Sequence, residues 1–142
     1  PYRRQRQMCI ETGIILLRMP ENVELRLDDC QPFTLYTDRS RLTQVLTNLL
    51  TNAIKHTKKG YICFGYDVTE QEIRFYVTDT GEGIPDDQLE RVFDRFVKLT
   101  QWTNGVGLGL AISKALVTKL GGRIEVTSQQ GVGSTFSVIF PR

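Results

Sequence analysis

The sequence predicts an α+β sandwich of two layers: a mostly antiparallel mixed sheet covered on one face by about three helices. Two strictly alternating stretches, Ile62-Phe64-Tyr66-Val68 and Ile73-Phe75-Val77, face each other across a Glu/Gln turn, as the arms of a hairpin do. A second such pair, Ile124-Val126 and Phe136-Val138-Phe140, brackets the turn Gly131-Val132-Gly133. Helical periods lie among these strands without alternating strictly with them, which is the mark of a sheet with its helices gathered on one side.

Taken in order, residues from about 5 to 18 carry Met8, Ile10, Ile14, Ile15 and Leu17 in a loose helical pattern closed by Pro20. Val23, Leu25 and Leu27 alternate as a strand, and Phe33 to Tyr36 is its expected partner. Asp38 opens the strongest helix: Leu42, Val45, Leu46, Leu49, Leu50, Ala53 and Ile54 make one apolar face at a 3.6-residue period, ended by Lys58-Lys59-Gly60. After the first hairpin, Pro85 suits a first helical position, so a helix is expected to about Phe93. Residues 94 to 106 are polar and aperiodic, a loop. A last helix runs from near Gly107 to Leu120, stopped by Gly121-Gly122.

Composition narrows the function classes. The 142 residues suffice for one domain with one core, and 40% apolar with 24% charged is ordinary for a globular protein. A net charge of +2 argues for neither nucleic acid nor a membrane surface, and Arg3-Arg4-Gln5-Arg6 reads as a solvated helix end. Cys9, Cys30 and Cys63 are odd in number and hold no Cys-x-x-Cys pair, which disfavours disulfides and zinc and suggests a reducing compartment. No apolar run approaches the roughly 18 residues of a membrane span. The chain begins at Pro1 with neither methionine nor signal peptide, so a piece of something longer is expected.

Three elements carry chemistry. On the long helix, Asn48, Asn52, Lys55 and His56 form a polar stripe beside the apolar face. Two asparagines one turn apart are poor helix formers; they read either as a solvated flank or as a hard oxygen ligand for magnesium, with lysine as a phosphate cation. Asp79-Thr80-Gly81-Glu82-Gly83-Ile84 ends a strand. Parity puts Asp79 on the face of Ile73, Phe75 and Val77, where a buried carboxylate needs a partner. An adenine amino group would satisfy it and a guanine carbonyl would repel it, while Gly81 and Gly83 clear room for a ring. The bland alternative is a plain Asp-Thr-Gly turn. Gly105-Val106-Gly107-Leu108-Gly109-Leu110 leads into a helix, where free amides and the dipole make a phosphate seat. It fits neither the dinucleotide fingerprint nor a phosphate loop with lysine after its last glycine.

In combination (Asn-rich helix, Asp-x-Gly-x-Gly, Phe93-Asp94-Arg95-Phe96, polar loop, Gly-x-Gly-Leu-Gly-Leu) the chain resembles the ATP-binding domain of sensor histidine kinases, within the superfamily of gyrase, mismatch-repair and heat-shock ATPases. The resemblance runs from about Val23 to Phe140 and implies a Bergerat-type ATP-binding fold. It implies ATP and Mg2+ as cofactors, with Asn52 the metal ligand, Asn48 orienting the reacting phosphate and Lys55 a phosphate contact. His56 would lie beside the nucleotide. Asp79 would read adenine, supported by Gly81, Gly83 and Thr135, with Ile84, Phe96, Leu108 and Leu110 in the same binding set. Lys98 would reach the terminal phosphate, Leu99 to Val106 would be a lid containing Trp102, and Gly105, Gly107 and Gly109 its hinge and phosphate seat. Val106 stands where the family usually has threonine, and Lys98 where arginine is common.

The family's hydrolytic members are expected to carry a glutamate base at the Asn48 position; a neutral amide there fits transfer to an imidazole nitrogen. His56 is the only histidine and is placed in the pocket, so the acceptor is expected on a histidine-bearing dimerisation domain outside this chain. The isolated domain should then bind ATP without phosphorylating itself. A response regulator receiver domain would be the onward partner, and the full-length protein a homodimer, membrane-anchored or not, with this domain cytoplasmic. Three rival readings fit less well: a degenerate nucleotide-binding module, disfavoured by Asn52, Asp79 and the motif glycines; a serine-kinase anti-sigma relative, disfavoured by Asn48; and an aspartic protease, excluded because Glu82 and a helix follow Asp79-Thr80-Gly81.

Overall fold

In the computed structural model the described residues are 21–28, 35, 37–89, 91–93 and 107–142, with the backbone alone at 107–109. They form a five-stranded mixed sheet and three helices in two layers. The strands are β1 (Val23–Leu27), β2 (Gly60–Val68), β3 (Glu72–Asp79), β4 (Arg123–Gln129) and β5 (Gly133–Pro141), and they lie in the order β1-β2-β3-β5-β4. The helices are α1 (Arg39–His56), α2 (Asp86–Leu89) and α3 (Gly107–Lys119).

Both expected hairpins form, β2 against β3 and β4 against β5, and β3 and β5 join them antiparallel at the centre. The strand β1 has a neighbour that the sequence did not suggest. β1 lies parallel to β2, with Val23 opposite Gly60 and Leu27 opposite Phe64. A parallel neighbour cannot be reached by a tight turn and needs a crossover, which α1 supplies. Of the expected partner strand Phe33–Tyr36 only Leu35 is described, and it is buried; the helix expected from 5 to 18 lies outside the described residues.

Asp38 caps α1: its carboxylate accepts from Arg41 N at 3.2 Å and its carbonyl from Leu42 N at 3.0 Å. The apolar face read from the sequence is the one buried, with Leu42, Val45, Leu46, Leu49, Leu50 and Ala53 each at most 6% exposed. It packs on the inner side of the sheet, against Ile62, Phe64 and Tyr66 of β2, Ile73, Phe75 and Val77 of β3, and Phe136, Val138 and Phe140 of β5. Phe75 sits between Tyr66 and Phe140 at ring separations of 5.7 and 6.3 Å, the second edge-on at 73°.

The helix after Pro85 is shorter than its sequence suggests. α2 makes one turn, and beyond it Arg91 N and Val92 N bond back to Gln88 O and Leu89 O, three residues earlier. This tighter winding drives Val92 into the core and lays Phe93 edge-on against Phe136 at 6.1 Å. α3 adds Leu110 and Val117 to the core and ends as expected, with Gly122 N bonded to Val117 O and Gly121 N to Thr118 O. No helix among the described residues is long and apolar enough to cross a membrane.

Candidate functional site

The polar stripe of α1 keeps its asparagines inside. Asn52 is 3% exposed, and its Oδ1 has no hydrogen-bond partner among the described residues. A buried acceptor left in that state costs about 1–3 kcal/mol, so the position suits a ligand that supplies a cation or a donor. Asn48, one turn earlier and half-buried, donates from Nδ2 to Ser113 Oγ of α3 at 3.3 Å, tying the two helices together. Lys55 points into solvent from the last turn. His56, in that same turn, is 8% exposed at its side chain and bonds through Nδ1 to Glu82 Oε1 at 3.0 Å.

Asp79 ends β3 on the inner face, as strand parity requires, and is 5% exposed. Burial pushes its carboxyl above the ordinary carboxylate range; the Gly81 amide, the neighbouring His56 and the Ser134 amide pull it back, and the Glu82 charge pushes with the burial. Gly81 N donates to Asp79 Oδ1 at 2.9 Å.

The chain after Asp79 is clamped on two sides. On one side Glu82 N bonds to His56 O, and a Cβ on Gly81 would stand 2.2 Å from that same oxygen. On the other, Gly131 N bonds to Glu82 O at 2.8 Å and Ile84 N to Ser128 Oγ at 2.8 Å. Gly83 has φ of +72° and a Cβ there would fall 2.2 Å from Gln129 O, so both backbone angle and space require glycine. The end of α1, the loop after β3 and the β4–β5 turn therefore meet around one carboxylate.

Several expected site residues are placed differently. Thr135 lies on the outer face of the sheet, paired with Thr78 at 3.0 Å between hydroxyls, and cannot support the Asp79 side chain from there. With Tyr61, Thr78, Thr80 and Thr127 it lines a cleft of about 390 Å³ that Asp79, Ser128 and Ser134 also border. The residue beside Asp79 is Ser134, its cross-strand partner, 6% exposed. Ile84 and Leu110 are core side chains, 0% and 2% exposed, and the Ile84 amide is already engaged by Ser128, so a ligand would find little of either. Gly107, Leu108 and Gly109 form the first turn of α3. Phe96, Lys98, Gly105, Val106 and the segment Leu99–Val106 with Trp102 lie outside the described residues.

Ser113, Ser128 and Ser134 were not legible as site residues in motif order. For Ser134 a signal existed: Phe136, Val138 and Phe140 face inward, and counting back by twos reaches 134, not 135. Among the described residues no cluster of three or more histidine, cysteine or acidic side chains could hold a metal ion. The buried amide oxygen of Asn52 is a hard donor of the type that magnesium accepts alongside phosphate oxygens.

The comparisons with known proteins agree on what this frame resembles. Residues 37–142 match the family model described as histidine kinase-, DNA gyrase B-, and HSP90-like ATPase. The Sensor protein SrrB of Staphylococcus aureus is 44% identical over 110 residues, covering 74% of this chain and 19% of that protein, so the chain spans about a fifth of its curated relative. Among solved structures, the mycobacterial sensor histidine kinase MprB superposes with a TM-score of 0.82 at 27% identity, covering 98% of this chain and 97% of that one. Full-length ShkA in complex with AMPPNP gives 0.83 at 30% identity, covering 98% of this chain and 31% of that one.

Proposed function

The chain belongs to the histidine kinase-, DNA gyrase B-, and HSP90-like ATPase family, and from that premise we propose that it is the phosphate-donating domain of a sensor histidine kinase in two-component signalling. It binds Mg-ATP and passes the γ-phosphate to a histidine on a dimerisation domain outside this chain. The observation that carries the reading is the buried Asn52 oxygen without a partner among the described residues, one helical turn before the His56 end that clamps the Asp79 loop. The AMPPNP bound by ShkA, a structural relative, supports an adenine nucleotide as ligand.

In this reading Asp79 accepts from the adenine amino group, which adds a donor to the one Gly81 N already gives and offsets the burial of the charged carboxylate. Asn52 offers its amide oxygen to magnesium, and the Ser113 bond holds Asn48 toward the phosphates. Held through the Asn52 amide oxygen, magnesium would supply positive charge against the negative charge that develops on transfer. No carboxylate stands at the Asn48 position to activate water, which favours a neutral imidazole as the acceptor. Lys55 supplies exposed positive charge at the helix end. The partners that follow from the reading are the histidine-bearing domain of the same protein, as a homodimer, and a response regulator receiver domain, all cytoplasmic.

Calorimetry tests the assignment. ATP and ADP should bind with magnesium dependence and GTP far more weakly, and Asp79→Ala should cost ATP about 1.5–3 kcal/mol, as for a lost hydrogen bond to a charged group. Equal affinities of the wild type for ATP and GTP would remove Asp79 from its role.

A further inference from the structure

Four residues form one cross-strand row on the inner face: Ser128 of β4, Ser134 of β5, Asp79 of β3 and Ile62 of β2. The first three are polar, and they sit where nonpolar side chains fill every other central position of that face. Ser128 Oγ has three partners: it lies 2.8 Å from Ile84 N, 3.0 Å from Gly133 O and 2.8 Å from Ser134 Oγ.

A hydroxyl has one hydrogen and two acceptor positions, and this fixes the direction of each bond. Ile84 N–H can only donate, so it occupies one lone pair of Ser128. Gly133 O can only accept, so it takes the single Ser128 hydrogen. The bond between the two serines is then left with one polarity: Ser134 donates its hydrogen into the second lone pair of Ser128. All three capacities of Ser128 are filled, and Ser134 has no hydrogen left to offer its other neighbours. Beside the Asp79 carboxylate, Ser134 Oγ is therefore an acceptor only.

We propose that Ser128 is a specificity-determining positioning residue: by consuming the Ser134 hydrogen it makes the Asp79 end of the pocket a double acceptor that takes a 6-amino purine and refuses a 6-oxo purine. The inference rests on the reading of Asp79 as the adenine contact. Without Ser128 the Ser134 hydroxyl is free to turn and donate. A 6-oxo group, which finds only acceptors in the wild type, then gains a donor, while a 6-amino group loses one acceptor for part of the time. The role belongs to a side chain with no expected contact to the nucleotide.

The test compares ATP with inosine triphosphate, which differs at the 6-position without the added 2-amino group of guanine. In the wild-type chain ATP should bind the more tightly. Ser128→Ala should narrow that preference about tenfold, the size expected for redirecting one buried hydrogen bond, through tighter inosine triphosphate binding as well as weaker ATP binding. Ser128→Thr, which keeps a hydroxyl, should restore the wild-type ratio, and in a Ser134→Ala background Ser128→Ala should leave the ratio unmoved. A general loosening of the fold would weaken both nucleotides together, so an unchanged ratio overturns the proposal even if both affinities fall. If Ser128→Ala does not fold, Ser128→Cys, a weak donor and acceptor of similar shape, should narrow the ratio in the same direction, and failure to do so is equally fatal. A wild type that binds the two nucleotides alike would instead sink the adenine assignment of Asp79 itself.

Discussion

At the scale of single residues, the adenine-reading role proposed for Asp79 is set against stability. In an unfolded chain its carboxyl ionises near 3.8, and burial holds the proton to higher pH in the folded state. Between those two values the folded state binds more protons than the unfolded one. Stability therefore falls as pH rises through that window, and above it the full penalty of a buried charge remains. Asp79→Asn removes the charge, keeps the shape and still accepts from Gly81 N through its carbonyl oxygen. It should raise the thermal midpoint of the nucleotide-free domain at neutral pH, with the gain shrinking as pH falls toward the ordinary carboxylate value. The same substitution should erase the preference for ATP. A melting temperature unchanged or lowered at neutral pH would mean that the carboxylate is better compensated than its burial implies. Asp79 was readable from strand parity because alternation runs unbroken from Ile73. Ser134 was missed because the family resemblance placed the supporting hydroxyl on Thr135, although parity along β5 points to its neighbour.

At the scale of elements, α1 does two jobs with two faces. Its apolar stripe covers the sheet, and its polar edge presents Asn48, Asn52 and His56 to the site. The cap and the core stripe should be separable by mutation. Asp38→Ala removes the N-terminal cap and should cost about 1 kcal/mol, with nucleotide affinity nearly intact because the site lies at the other end of the helix. Leu49→Ala deletes a fully buried side chain facing the sheet and should cost about 2–5 kcal/mol. Chemical denaturation of the two variants should show the order, and a cap variant as damaging as the core variant would contradict it. The helix was legible because its period is long and clean. The edge was not: β1 pairs in parallel with a strand more than thirty residues away, and local alternation carries no signal of so distant a partner. α2 was over-read because helix propensity after Pro85 does not register that Val92 and Phe93 are worth more in the core than in a second turn.

At the scale of the whole molecule, the proposed function makes the site one half of a reaction whose other half lies on a separate domain. Supplied with that histidine-bearing domain in trans and labelled ATP, the chain should label the histidine. Asn52→Ala should abolish the labelling while keeping part of the ADP affinity, since the adenine end is held by other elements. Labelling at the wild-type rate by Asn52→Ala would exclude it as the magnesium ligand. The clamp around the loop after β3 bears on how such a chain is made. Its two jaws come from residue 56 and from residues 128 to 131, so the loop between them is held only once the last hairpin has zipped onto β3. Contacts so far apart in sequence form late. During synthesis domains fold as units, so while the last hairpin is still inside the ribosome a nascent domain would have its helix and first hairpin in the open and still no grip on nucleotide. Competence to bind would arrive in one step, after the final strand has left the ribosome.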